Sequence, residues 1–174
     1  MKVLAFGASS SKNSINQKLA KYTAQLIRNA EYRFLDLNDY EMPIFSVDKE
    51  HEIGIPVLAY QFLDELNGAD IIVISMAEHN GAYSAAFKNI FDWASRANLK
   101  MFESKKMILL STSPGPRGGQ NVLEIAADRF PRHGAEILFT FSLPLFGQNF
   151  DENLGITNSI LKSELLDKLN SVLS

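Results

Sequence analysis

Along its whole length the chain alternates short apolar runs with segments of helical period, and that alternation leaves few folds open. Val3–Phe6, Tyr32–Leu37, Ile71–Ile74, Lys106–Leu110 and Glu136–Phe141 read as strands. Helical patterns lie between them at Ser14–Arg28, where Ile15, Leu19, Tyr22 and Leu26 share a face, and at Val57–Leu66, Ala85–Ala97 and Val122–Arg132. A last helix opens at Thr157 and runs to about Val172. Gly68-Ala69-Asp70 and Gly134 act as helix stops, and Asp39–Glu52, with Met42-Pro43-Ile44-Phe45, reads as a loop. Ile71–Ile74 is apolar without a break, the pattern of a strand buried on both faces. Strands joined by single helices imply right-handed crossovers and a parallel sheet between two helical layers.

Five strands in 174 residues predict an α/β doubly wound, five-stranded parallel sheet in the flavodoxin-like order 2-1-3-4-5, helices on both faces. Residues 1–174 then form a single domain. In such sheets ligands sit beyond the carboxyl ends of the strands, where the strand order reverses. Here the reversal falls between strands one and three, so the loops after strands one, three and four should carry the function.

The balance of residues narrows the chemistry. With no cysteine there is no disulfide, thiolate metal site or cysteine nucleophile, and the three histidines, His51, His79 and His133, show no ligand spacing. A net charge of −3 without a Lys/Arg cluster argues against nucleic acid as a partner. No apolar stretch approaches the roughly 20 residues of a membrane span, and Lys2–Phe6 is too short for a secretory core. The expected compartment is the cytoplasm.

The loop after strand one runs Gly7-Ala8-Ser9-Ser10-Ser11-Lys12-Asn13-Ser14-Ile15-Asn16, with four serines and two asparagines from Ser9 to Asn16. A helix N-terminus offers unpaired N–H groups and a partial positive charge, and the hydroxyls add donors, so the loop suits a terminal phosphate. It lacks the Gly-Lys-Ser/Thr of a triphosphate loop and the G-x-G-x-x-G of a dinucleotide site. An ordinary βα connection would need a single serine cap, not this density. The second loop, Ser75–Ser84, holds the turn signal Asn80-Gly81 beside His79. The third, Ser111–Gly119, has three glycines that let backbone N–H groups approach a flat ligand, with Arg117 among them. Phe87, Ile90, Phe91 and Ala94 form a core face of the helix after strand three, and Trp93 is expected at a subunit contact.

The three loops together resemble the NADPH-dependent FMN reductase family. The resemblance rests on Ala5-Phe6-Gly7 with Ser9, Ser14, Asn16, Leu19 and Ala20. It continues through Glu78-His79-Asn80-Gly81 with Phe87-Lys88-Asn89 and Asp92-Trp93, and ends on Ser113-Pro114-Gly115 with Gly118-Gly119. It runs from residue 1 to about Leu143. It implies a flavodoxin-like oxidoreductase that binds FMN and uses NADPH or NADH as co-substrate. The phosphate would contact Ser9, Ser11, Ser14, Ile15 and Asn16. The ring would lie against Ala77, Glu78, His79, Asn80 and Gly81, with Ser113, Gly115 and Gly118 at its pyrimidine edge. No side chain need be catalytic, since the flavin carries the chemistry. The resemblance also implies a small-molecule electron acceptor (flavin, quinone, azo dye or chromate) and a homodimer or homotetramer, for which Asp39–Phe45 is a candidate contact. Ser10-Ser11-Lys12 stands where the family commonly has an arginine, and Ala77-Glu78-His79-Asn80 where it commonly has Pro-Glu-Tyr-Asn. Two other readings stay open at this point: a non-enzymatic FMN-binding electron carrier, and a phosphate-binding α/β domain with His79 as its acid or base.

Overall fold

A computed structural model describes residues 1–173. β1 (Lys2–Ala8) leads to α1 (Ile15–Gln25), β2 (Glu31–Phe34), a 3₁₀ turn at Leu37–Tyr40, α2 (Val47–Ile53) and α3 (Val57–Asn67). β3 (Ile71–Met76) is followed by a two-stranded hairpin, β4 (Glu78–His79) and β5 (Ala82–Tyr83), and by α4 (Ala85–Ala97). Then come β6 (Lys106–Thr112), α5 (Gln120–Arg129), a 3₁₀ turn at Phe130–His133, and β7 (Glu136–Leu143). The short α6 (Phe146–Asn149), a hairpin of β8 (Phe150–Asp151) and β9 (Gly155–Ile156), and α7 (Ser159–Leu173) follow.

The main sheet is ordered β2-β1-β3-β6-β7 with every pair parallel, the flavodoxin-like order expected for five strands. Side chains alternate between two cores. Leu4, Phe6, Ile72, Ile74, Met107 and Leu109 meet α3, α4 and α5 on one face. Val3, Ala5, Ile71, Val73, Ile108 and Leu110 meet α1 and α7 on the other. Because both its faces are covered, β3 reads as an unbroken apolar run, whereas the edge strand β2, with Glu31, Tyr32 and Arg33 exposed, alternates.

Local chemistry sets the boundaries. Ser14 caps α1, its Oγ accepting from the Gln17 N–H at 3.2 Å, so the helix starts one residue later than its periodic pattern. The second strand was expected to continue to Leu37, but Asp36 takes the Asn38 N–H at 2.9 Å and turns the chain into a 3₁₀ segment. Asn158, whose Oδ1 accepts from the N–H groups of Ile160 and Leu161, starts α7 after Thr157. The expected Asp39–Glu52 loop instead contains the second half of the 3₁₀ turn and most of α2. Ser46 caps α2, and Asp48 and Glu50 sit in its first turn. None of its residues is buried, so α2 leaves no apolar period to read; an ion pair from Arg96 to Glu50 at 2.9 Å ties it down.

Trp93 is not at a surface. It is fully buried and donates from Nε1 to the Pro43 carbonyl at 2.7 Å. Asn89 accepts from the Phe45 N–H at 2.8 Å and donates to the Met42 carbonyl at 3.0 Å. These two side chains strap Met42–Phe45 onto α4, burying Met42 and leaving Ile44 86% exposed.

His133 closes the far end of the same core, edge-on to Phe91 at 4.8 Å. The Leu99 carbonyl lies 2.7 Å from its Nδ1 and can only accept, so Nδ1 carries the proton and the buried Nε2 lone pair has no partner among the described residues. Burial pushes the imidazole below its usual range, with Arg129 and Lys100 acting in the same direction against the Leu99 bond. A depressed basic group means the unfolded chain takes up the proton first as pH falls. Stability is therefore full above the unfolded value near 6.5 and declines as pH drops toward the folded value. Thermal unfolding measured against pH should show this decline in the wild type, and His133→Asn should flatten it; an equal decline in both would contradict the assignment.

Candidate active site

The carboxyl ends of β1, β3 and β6 are fastened together by a small set of buried polar side chains. Asn16, 4% exposed in the first turn of α1, accepts at Oδ1 from the Ser75 hydroxyl at 2.7 Å and the Thr112 N–H at 3.1 Å. Its Nδ2 donates to the Thr112 carbonyl at 3.2 Å. Gln17 accepts from the Gly7 N–H and donates to the Leu35 carbonyl, joining β1 to the chain beyond β2. Ser84 caps α4 and donates to the Ala8 carbonyl at 2.7 Å. Ser14-x-x-Gln17 has the spacing of a capping box, a signal for Gln17 that could have been read. The serine directly ahead of the α4 pattern marks Ser84 as that helix's cap, but its bond to Ala8 and the roles of Ser75 and Thr112 had no comparable local signal.

In the first loop, Ser9 and Ser14 are buried at the rim, while Ser10, Ser11, Lys12 and Asn13 are exposed. Ser9 Oγ accepts from the Ser11 N–H at 3.1 Å and Ser14 Oγ accepts from Gln17, so both hydroxyl protons remain free to donate. The first-turn N–H groups of Ile15 and Asn16 have no acceptor within the helix. No Asp or Glu occurs in the first 30 residues, against five basic ones: Lys2, Lys12, Lys18, Lys21 and Arg28. The donor set and its charge balance fit a phosphate group. The Asn16 amide is committed to Ser75 and Thr112, so what Asn16 can offer a ligand is its backbone N–H.

The second loop is the β4–β5 hairpin. Asn80 (φ 51°) and Gly81 (φ 76°) are both left-handed, as a two-residue type I′ turn requires. His79 and Asn80 are exposed on it. Glu78 points elsewhere: its Oε2 accepts from the Val122 N–H at 3.0 Å, capping α5, whose own N-cap residue Gly119 has no side chain to do so. Glu78 thus joins the second loop to the third rather than facing open space. Ala77 is buried beneath it.

The third loop is folded on itself and on the chain after β7. Ser113 Oγ and the Gly118 N–H both donate to the Gly115 carbonyl, at 3.3 Å each. Leu145 and Phe146 donate to the carbonyls of Gly115 and Ser113. Gly118 is left-handed and buried; a Cβ there would lie 2.2 Å from Ser142 Oγ, and its carbonyl accepts from that hydroxyl. Among the described residues the Gly115 N–H has no acceptor, whereas that of Gly118 is turned inward. Arg117 reaches Asn121 at 2.5 Å on the same rim.

Beside the first loop a cavity of about 370 Å³ opens between Ser10, the Asn38–Ile44 segment and the start of α4 at Ala85. Among the described residues no group of three or more His, Asp or Glu side chains is placed to hold a metal ion. No helix among them is long and apolar enough to cross a membrane.

Fold and rim together define a flavodoxin-like α/β protein whose three loops converge at the switch in strand order. The chain belongs to the NADPH-dependent FMN reductase family, whose sequence pattern matches residues 1–143. Oxidoreductases of this family work with FMN and NAD(P)H. A Mycoplasma pneumoniae protein of unknown function is 29% identical over 153 residues, 85% of this chain and 90% of that protein. An NADPH:quinone oxidoreductase of Arabidopsis thaliana is 26% identical over 70% of this chain and 62% of its own length. An NAD(P)H-dependent FMN reductase of Pseudomonas aeruginosa is 29% identical over 44% of this chain and 41% of its own. The flavoenzyme NAD(P)H:acceptor oxidoreductase FerB from Paracoccus denitrificans superposes with a TM-score of 0.78 at 20% identity, covering 99% of this chain and 94% of that one.

Proposed function

We propose that this protein is an NAD(P)H-dependent FMN reductase of the quinone-reductase type, working on a small acceptor such as a flavin or quinone by a ping-pong cycle. The observation that carries the reading is the first loop. It is an acid-free set of hydroxyl and N–H donors, fixed by Asn16 and Ser84 against the second and third loops at the switch point.

When bound, FMN supplies the atom that accepts and then donates the hydride. The chain's own work is binding and orientation. The N–H groups of Ile15 and Asn16, with the hydroxyls of Ser9, Ser11 and Ser14, hold the phosphate. The His79-Asn80-Gly81 turn borders the ring, set in place by Glu78. The free Gly115 N–H is the donor available to negative charge on the ring. A site with no acid–base pair suits this division of labour. The exposed turn also leaves room for nicotinamide and acceptor to take the same position in turn, which favours an enzyme over a closed electron carrier.

Steady-state rates with NAD(P)H and a quinone varied together should give parallel double-reciprocal lines; intersecting lines would overturn the ping-pong cycle. The proposed compartment is the cytoplasm and the proposed assembly a homo-oligomer, which light scattering tests directly.

A further inference from the structure

Asn-Gly occurs twice in this chain, at Asn67-Gly68 and Asn80-Gly81, and the fold treats the two differently. Both asparagines are exposed, so access to water does not separate them. Asn67 closes α3. The Gly68 N–H donates to the Asp64 carbonyl at 3.0 Å, and the Asn67 carbonyl accepts from Lys105 Nζ at 2.7 Å. The peptide between Asn67 and Gly68 is therefore held at both its polar atoms. Asn80 stands at the tip of the β4–β5 hairpin. Among the described residues neither the Asn80 side-chain amide nor the Gly81 N–H has a hydrogen-bond partner. Asn80 is also in the left-handed region, which a side chain enters at some cost.

We propose that Asn80 is a site of spontaneous deamidation and that Asn67 is protected from it. The Gly81 nitrogen attacks Cγ of Asn80, and glycine, having no Cβ, leaves that approach open. A bond forms between nitrogen and Cγ, and the side-chain nitrogen leaves as ammonia, taking up the proton lost by Gly81. The product is a cyclic succinimide. Water adds to one of its two carbonyls and breaks the adjacent C–N bond, giving aspartate or isoaspartate. Water is the only co-reactant, and nothing is oxidised or reduced. At Asn67 the same attack would first have to break the α3 hydrogen bond and the Lys105 contact.

The consequence for activity rests on the FMN reading given above. Conversion places a carboxylate on the turn that borders the ring, and isoaspartate also lengthens the backbone of a two-residue turn. Converted molecules should retain less FMN than unconverted ones.

The test is a time course of the purified full chain in mildly alkaline buffer prepared with heavy-oxygen water, followed by peptide mapping. The expected result is progressive loss of the Asn80 amide, with solvent oxygen in paired aspartate and isoaspartate products, while the Asn67 peptide keeps its amide. Asn80→Gln, which would need a larger ring to react, should abolish the conversion. An intact Asn80, or an Asn67 that converts as fast, would overturn the proposal. Conversion at Asn80 in a protein that never binds FMN upholds the modification site and overturns the reductase reading.

Discussion

Gly7→Ala is expected to lower stability by roughly 3 kcal/mol and to abolish ligand binding at the first loop. A Cβ at Gly7 would lie 2.4 Å from the Gln17 nitrogen, and 2.8 Å from both the Asn16 carbonyl carbon and Gln17 Cα. All three are backbone atoms of α1, so no side chain can swing aside. The helix must move off the end of β1, taking the N–H groups of Ile15 and Asn16 with it and loosening the Gln17 bond to the Gly7 N–H. For a chain of this length such a loss corresponds to a fall in Tm of roughly 6–12 °C. Gly147→Ala is the control, since nothing lies within 4 Å of a Cβ there. It should change stability by no more than about 0.5 kcal/mol. Thermal unfolding of both variants decides the matter, and equal Tm values would contradict the close packing of β1 on α1.

The second large effect is expected at Asn16. Asn16→Ala leaves the Ser75 hydroxyl and the Thr112 N–H and carbonyl, all on buried residues, without their partner. An unsatisfied buried group costs about 1–3 kcal/mol, so a loss of about 3 kcal/mol is expected for the set. FMN retention should fall as well, because the ends of β3 and β6 are no longer registered to the first loop. Asn16→Asp gives a diagnostic contrast. It keeps the acceptor toward Ser75 and Thr112 N–H but sets a charge against the Thr112 carbonyl and the phosphate position. Its stability should lie between wild type and Asn16→Ala, while its FMN retention should be as poor as that of the alanine variant. Retention matching wild type in Asn16→Asp would remove the phosphate from this loop.

These two residues also mark how far the amino-acid sequence could be read. β1, β3 and β6 were legible as short apolar runs, each followed by an amphipathic helix, and that repeat implied the strand order. Those patterns are local. The first loop stood out for the same reason, its serines and asparagines being adjacent in the chain. The partners of Asn16 are not local: Ser75 is 59 residues away and Thr112 is 96. Nothing near Asn16 says that its amide will face inward instead of toward a ligand. Glu78 is a parallel case, since its partner Val122 lies 44 residues on. Trp93 looked like an interface residue because Pro43, which takes its N–H, is 50 residues earlier. α2 escaped because a helix with no buried residue leaves no period. The β8–β9 hairpin escaped because strands of two residues carry no alternation.

The central claim, that the three loops hold FMN for reduction by NAD(P)H, is tested most directly by one visible spectrum. The purified protein is mixed with FMN, desalted, and then given NADPH or NADH without oxygen. Flavin absorbance that survives desalting and bleaches promptly on adding the nucleotide is the predicted result, and a protein that emerges from the column without flavin would contradict it.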